Sequence, residues 1–126
     1  MKAQDFKTCR AVVIERPHEA NLREIKLTEP MSDAFVAKTT FSSISTGTDM
    51  KTYKGMQHPE QCYYPLVPGY ETAGVVVAVP EEGADLSHFP ESARNLKVGD
   101  RVMINECRKY GDVCAAWGGG SEYTIK

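Results

Sequence analysis

YPLVPGYETAGVVVAV, residues 64–79, opens as a turn punctuated by proline and glycine and closes as an apolar run. From Ala73 to Val79 no side chain is polar, the composition of a strand buried on both faces. Tyr70 and Glu71 stand at the mouth of that strand. A carboxylate there has to be satisfied. Either it accepts backbone N–H bonds that fix the turn, or it serves chemistry.

Short strand-like runs separated by turn residues lie on both sides of this stretch. CRAVVIE (9–15) is β-branched, and NLREIKL (21–27) alternates apolar and polar residues as a half-buried strand does. AFVAKTTFSSI (34–44) has strand composition, DRVMINE (100–106) follows the turn VGD, and SEYTI (121–125) reads as the last strand. After Gly47, TDMKTYKG predicts one or two helical turns capped by Thr48 or Asp49. EEGADLSHFPESARN (81–95) reads as a long polar surface loop. No long amphipathic helix and no internal repeat is visible, so the expected class is mainly β: a partly open barrel with short helical turns in its loops.

At 126 residues the chain is long enough for one domain with a real core. Its formal charge of −2 gives no reason to expect nucleic acid or a membrane surface as a partner. No apolar run is long enough to span a bilayer. MKAQDFKTCR lacks an apolar signal core, which gives a cytoplasmic expectation. The four cysteines, Cys9, Cys62, Cys107 and Cys114, form no C-x-x-C pair and match no zinc-finger spacing. They are expected to be reduced thiols.

RAVVIERP, LTEPMSDAFVAKTTFSSIS, GTDMKTYKG, YPLVPGYETAGVVVAV, LKVGDRVMI and GGGSEYTI resemble, in that order, the N-terminal catalytic domain of the medium-chain alcohol dehydrogenases, which has a GroES-like fold. The wording S-x-I-S-T-G-T-D and Y-P-L-V-P-G-Y-E-x-A-G is most similar to the zinc-free branch that includes bacteriochlorophyllide a dehydrogenase. The resemblance implies that residues 1–126 form the substrate domain of a longer oxidoreductase. It also implies NAD or NADP held mainly by a Rossmann domain that this chain lacks, since GGGSEY has no βαβ context. The isolated domain is then expected to be inactive. The implied partner is a small-molecule alcohol or carbonyl substrate, and the full-length protein is expected to be a homodimer or homotetramer.

Zinc members of the family carry I-C-G-T-D near Ile44–Asp49 and G-H-E near Gly69–Glu71, the cysteine and histidine binding the metal. Here Ser45 or Thr46 holds the cysteine position and Tyr70 the histidine position, while Glu71 is retained. Neutral hydroxyls are poor zinc ligands, so the implied metal set is none. By resemblance, Thr48 matches a proton-relaying hydroxyl, and Lys51 stands where some members place a relay histidine. Tyr70 would orient or protonate the substrate oxygen. The candidate catalytic residues are thus Ser45, Thr46, Thr48, Tyr70 and Glu71. The plainer reading makes the three hydroxyls turn stabilisers, Tyr70 a packed ring, Lys51 a solvated charge, and His18, His58 and His88 solvated imidazoles. Trp117 either lines a cleft or covers an edge. Two other classes compete: a stand-alone GroES-like binding or assembly module, and a zinc dehydrogenase with altered ligands.

Overall fold

The computed structural model describes residues 5–27, 32–57, 62–108 and 110–126; the reading of His58 lies outside them. The β-branched start of the chain forms strand β1 (Thr8–Arg16), which turns at Pro17 and His18 into β2 (Glu19–Lys26). Their antiparallel register runs from Thr8↔Lys26 to Ile14↔Ala20. Cys9, Ala11 and Val13 face the core from β1, with Ile25 and Leu27 opposite. Leu22 is out of phase with that face. It sits across from Val12 on the outer side and is 68% exposed.

The remaining strands are β3 (Val36–Ser42), β4 (Leu66–Val67), β5 (Thr72–Ala78), β6 (Arg101–Ile104), β7 (Cys114–Ala115) and β8 (Tyr123–Ile125). One helix, α1 (Thr48–Tyr53), follows β3 where the sequence predicts it. Two four-stranded sheets result, in the orders β2-β1-β4-β7 and β6-β5-β3-β8. The pairings are antiparallel except for β4 with β7. Residues 120–122 join the two sheets along one seam. Val12 N–H donates to the Gly120 carbonyl at 2.7 Å and Glu122 N–H to the Arg10 carbonyl at 2.9 Å. On the other side Thr39 N–H donates to the Glu122 carbonyl at 2.8 Å. The fold is the expected mainly β, partly open barrel, with one joined seam among the described residues and no full closure.

The main core gathers Val13, Ile25, Val36, Val67, Val113 and Ile125 between the sheets. Under α1 a second cluster holds Ile14, Leu66, Ala116 and the thiols of Cys62 and Cys114. The third corrects the reading of 81–95 as a purely polar loop. Phe89 is buried against Phe35 and Val76, with Leu86, Ala93 and Leu96 beside it. A short 3-10 turn at Glu91–Ala93 helps fold the segment back onto the sheet. Arg108 donates to Asp33 at 3.1 Å and holds that carboxyl below its usual range. Strand β5 also departs from full burial on both faces. Thr72, Gly74, Val76 and Ala78 are buried, whereas Ala73, Val75 and Val77 keep partial solvent contact.

The two glycine-bearing stretches meet backbone to backbone. Gly118 N–H donates to the Val67 carbonyl at 3.1 Å, Gly119 N–H to the Gly69 carbonyl at 2.7 Å, and Gly120 N–H to the Pro68 carbonyl at 2.9 Å. A Cβ on Gly119 would lie 2.1 Å from Thr72 Oγ1 and 2.7 Å from the Gly69 carbonyl oxygen. Neither neighbour can swing away, since one is backbone and the other a fully buried β5 side chain. Beside this pairing, the Tyr110 hydroxyl donates to the Gly118 carbonyl at 2.6 Å and meets Ser121 Oγ at 2.7 Å.

All four cysteines are free and buried. Cys107 lies against Gly118 and Tyr110, and burial pushes its thiol up to about 11. Cys114 belongs instead to the cluster under α1, so the two do not share one environment.

Two outcomes are expected. Gly119→Ala should cost about 3 kcal/mol in urea unfolding through overpacking. Gly83→Ala is the control: its φ is +83° with open space around it, so about 1 kcal/mol is expected from backbone strain alone. Equal costs would contradict the steric account. Cys107 stays neutral in the fold while its unfolded counterpart ionises near 9, so stability should fall as pH rises from about 9 toward 11. Replacing Cys107 with Ala should make that slope shallower.

Candidate functional site

Three segments converge beside the glycine pairing: the β3–α1 loop, α1 itself, and the 68–71 link between β4 and β5. The loop is fixed by reciprocal bonds. Ser45 Oγ accepts the N–H of Thr48, the first helical residue, at 3.1 Å. Asp49 Oδ2 accepts the Ser45 N–H at 2.8 Å. This corrects the expected cap. Gly47 occupies the N-cap position without a side-chain bond, and the work assigned to Thr48 or Asp49 is done from Ser45. Thr52 Oγ1 then bonds the Thr48 carbonyl at 3.0 Å, and the Tyr64 hydroxyl bonds the Thr52 carbonyl, tying α1 to the segment before β4.

Glu71 finds a different partner from the backbone N–H groups considered for it. Its Oε2 accepts the Ser43 hydroxyl at 2.9 Å, and its carbonyl accepts the Ser43 N–H at 3.0 Å. The carboxylate is exposed and clasps the start of the β3–α1 loop to the start of β5. Tyr70 is half-buried, its ring edge-on to Trp117 with centroids 6.0 Å apart and planes at 67°. Trp117 takes a positive φ of 72° and packs on the cluster under α1. Thr46 is exposed and Thr48 half-buried; Lys51 is exposed, as a solvated charge would be.

Four of the predicted residues therefore fall into three local arrangements: Thr48 bonded to Ser45, which Asp49 also holds, Glu71 held by Ser43, and Tyr70 packed on Trp117. Beside them lies a cavity of about 270 Å³. Its walls include Ser43, Ile44, Asp49, Met50, Gly69 and Gly120, and none of Ser45, Thr46, Thr48, Tyr70 or Glu71 is among the residues that line it. Sequence reasoning missed Ser43 and Asp49 as site residues. The signal for Asp49 was the G-T-D wording itself, read only as a helix cap. For Ser43 the sequence holds no signal, because its partner is 28 residues away.

A zinc set does not assemble from these groups. Ser45 Oγ is engaged by a backbone N–H, Glu71 by a serine, and Tyr70 supplies a phenol. Among the described residues no three His, Cys, Asp or Glu side chains come together as a metal site. His18 and His88 lie elsewhere: His18 packs edge-on to Tyr53, and His88 sits 3.4 Å from Asp33.

Comparison with known proteins places the fold. The alcohol dehydrogenase GroES-like domain matches residues 33–125. A 2-desacetyl-2-hydroxyethyl bacteriochlorophyllide A dehydrogenase of Cereibacter sphaeroides is 40% identical over 96 residues, 75% of this chain and 26% of that protein. Its counterpart of the same name in Rhodobacter capsulatus is 31% identical over 119 residues, 92% of this chain and 34% of that protein. The chain thus spans about a quarter to a third of these relatives. An alcohol dehydrogenase of E. coli solved with NADH superposes with a TM-score of 0.64 at 27% identity, over 95% of this chain and 36% of that one. The quinone oxidoreductase of Coxiella burnetii gives 0.67 at 18% identity over 94% and 34%, a likeness of fold. With its seam, its β3–α1 loop and its match over residues 33–125, the chain belongs to the alcohol dehydrogenase GroES-like domain family.

Proposed function

We propose that this domain is the substrate half of a nicotinamide-dependent oxidoreductase that works on a small alcohol or carbonyl without catalytic zinc. On this reading residues 1–126 are accompanied in the working enzyme by a Rossmann domain that holds NAD or NADP, and the bound nicotinamide supplies or takes the hydride. The enzyme is cytoplasmic and forms a homodimer or homotetramer. Family membership and dehydrogenase relatives support the reaction class.

The observation that carries the zinc-free reading is the donor set. Hydroxyls, a phenol and a carboxylate stand where thiolate and imidazole would be needed, with the Ser45 hydroxyl and the Glu71 carboxylate already engaged in the fold. Substrate orientation then falls to hydrogen bonding. Tyr70 donates to the substrate oxygen, its ring steadied by Trp117. Thr48 passes the proton outward from a position fixed by Ser45 and Asp49. Glu71 keeps the crevice wall in place through Ser43, and Thr46 contributes an exposed hydroxyl at the entrance.

The test uses the protein encoded by the whole reading frame. NADH or NADPH should quench its tryptophan fluorescence on titration, while the 126-residue chain alone shows no saturable change. Tyr70→Phe should lower kcat about 100-fold with little change in cofactor affinity. Metal analysis of the same preparation should find far less than one zinc per chain. Absence of any nicotinamide binding would overturn the reaction class; stoichiometric zinc would overturn the metal-free reading.

A further inference from the structure

A second cavity, of about 220 Å³, lies between residues 89–96 and the sheet of β3, β5 and β6. Phe35, Val76, Phe89, Leu96 and Val102 make its walls apolar, and the Phe35 and Phe89 rings meet edge-on with centroids 5.1 Å apart. None of its lining residues borders the cavity beside α1. An apolar cavity of about 150 Å³ already accepts benzene, so this one has room for one ring and a short arm but not for a long acyl chain.

One end of this cavity is charged. Phe35 and Lys126 exchange main-chain bonds, Phe35 N–H to the Lys126 carbonyl at 2.9 Å and Lys126 N–H to the Phe35 carbonyl at 3.0 Å. Such an opposed pair sends both side chains to one face of the sheet, so Lys126 leaves the backbone on the side where Phe35 meets Phe89. Lys126 is half-buried and lines the cavity together with the exposed Asn105. No Asp or Glu lines it, and no carboxylate side chain of the described residues forms an ion pair with Lys126. An ammonium ligand is repelled at that end, and a neutral one leaves the charge unanswered. A dianion meets one cation with two charges. A carboxylate brings one charge and two acceptor oxygens, which match one ammonium and one amide NH₂.

We infer that this cavity binds a compact aromatic monocarboxylate, its ring among Phe35, Phe89 and Val102 and its carboxylate at Lys126 and Asn105. The site is separate from the crevice of the oxidoreductase reading and rests neither on that reading nor on bound cofactor. A ligand there ties residues 89–96 to the sheet, and its occupancy stabilises the fold by mass action.

Phenylacetate, phenylacetamide and 2-phenylethylamine are matched probes, titrated by calorimetry into the protein encoded by the whole reading frame, with and without NADH. Phenylacetate should bind about fivefold more tightly than the amide, with the amine weakest and the order unchanged by NADH. Lys126→Met keeps the apolar stem and removes the charge, so phenylacetate should fall to the level of the amide while the amide itself is unaffected. Ala93→Phe, at a half-buried position on the cavity wall, should block both probes by filling the space. Equal affinities of acid and amide, tighter binding of the amine, displacement of phenylacetate by NADH, or an unchanged preference in Lys126→Met would each overturn the inference. Failure to bind phenylacetate at all would overturn it too, and the nicotinamide titration judges the reaction class separately.

Discussion

The pairing of the Val67–Gly69 carbonyls with the Gly118–Gly120 amides sets the position of nearly everything around the crevice. Three main-chain bonds hold two loops closer than any side chain would permit, because Gly119 has no Cβ to strike Thr72 or Gly69. From one end of the pairing the chain continues as residues 120–122, the seam between the two sheets. Next to its other partner stand Tyr70, packed on Trp117, and Glu71, bonded to Ser43 at the start of the β3–α1 loop. Tyr110 and Ser121 both donate to the Gly118 carbonyl, which is thereby satisfied at the end of the pairing.

On that scaffold the candidate site is built from short-range bonds rather than from strong charges. Ser45, Thr48 and Asp49 brace one another within five residues, and the longer Ser43–Glu71 clasp joins two strand ends. On the proposed reading, such an arrangement orients a neutral oxygen-bearing molecule. It offers no concentrated soft donors for zinc.

Much of this was legible in the sequence where the determinant is local. The β-branched runs gave β1, β3 and β5, and Gly47 followed by TDMKTY gave α1 at its observed place. Strands β4 and β7 were not legible, because each is two residues long and is defined by long-range pairing, β4 with β1 and β7, and β7 with β4. Phe89 was hidden in a polar stretch; its burial depends on Phe35 and Val76, which the chain places 54 and 13 residues earlier. Glu71 raised the right question, but its answer, Ser43, lies across the sheet. Asp49 was visible as a cap and invisible as a half-satisfied acid, since its burial and the single Ser45 bond on Oδ2 are set by the folded loop.

Amide hydrogen exchange at Gly118, Gly119 and Gly120 tests the central pairing most directly. If these three bonds anchor the fold, their amides should exchange together with the β5 amide of Val76, roughly a thousandfold or more slower than the exposed turn glycine Gly83. Exchange of Gly119 as fast as Gly83, with Val76 still protected, would show that the sheets hold without the pairing and would contradict the account.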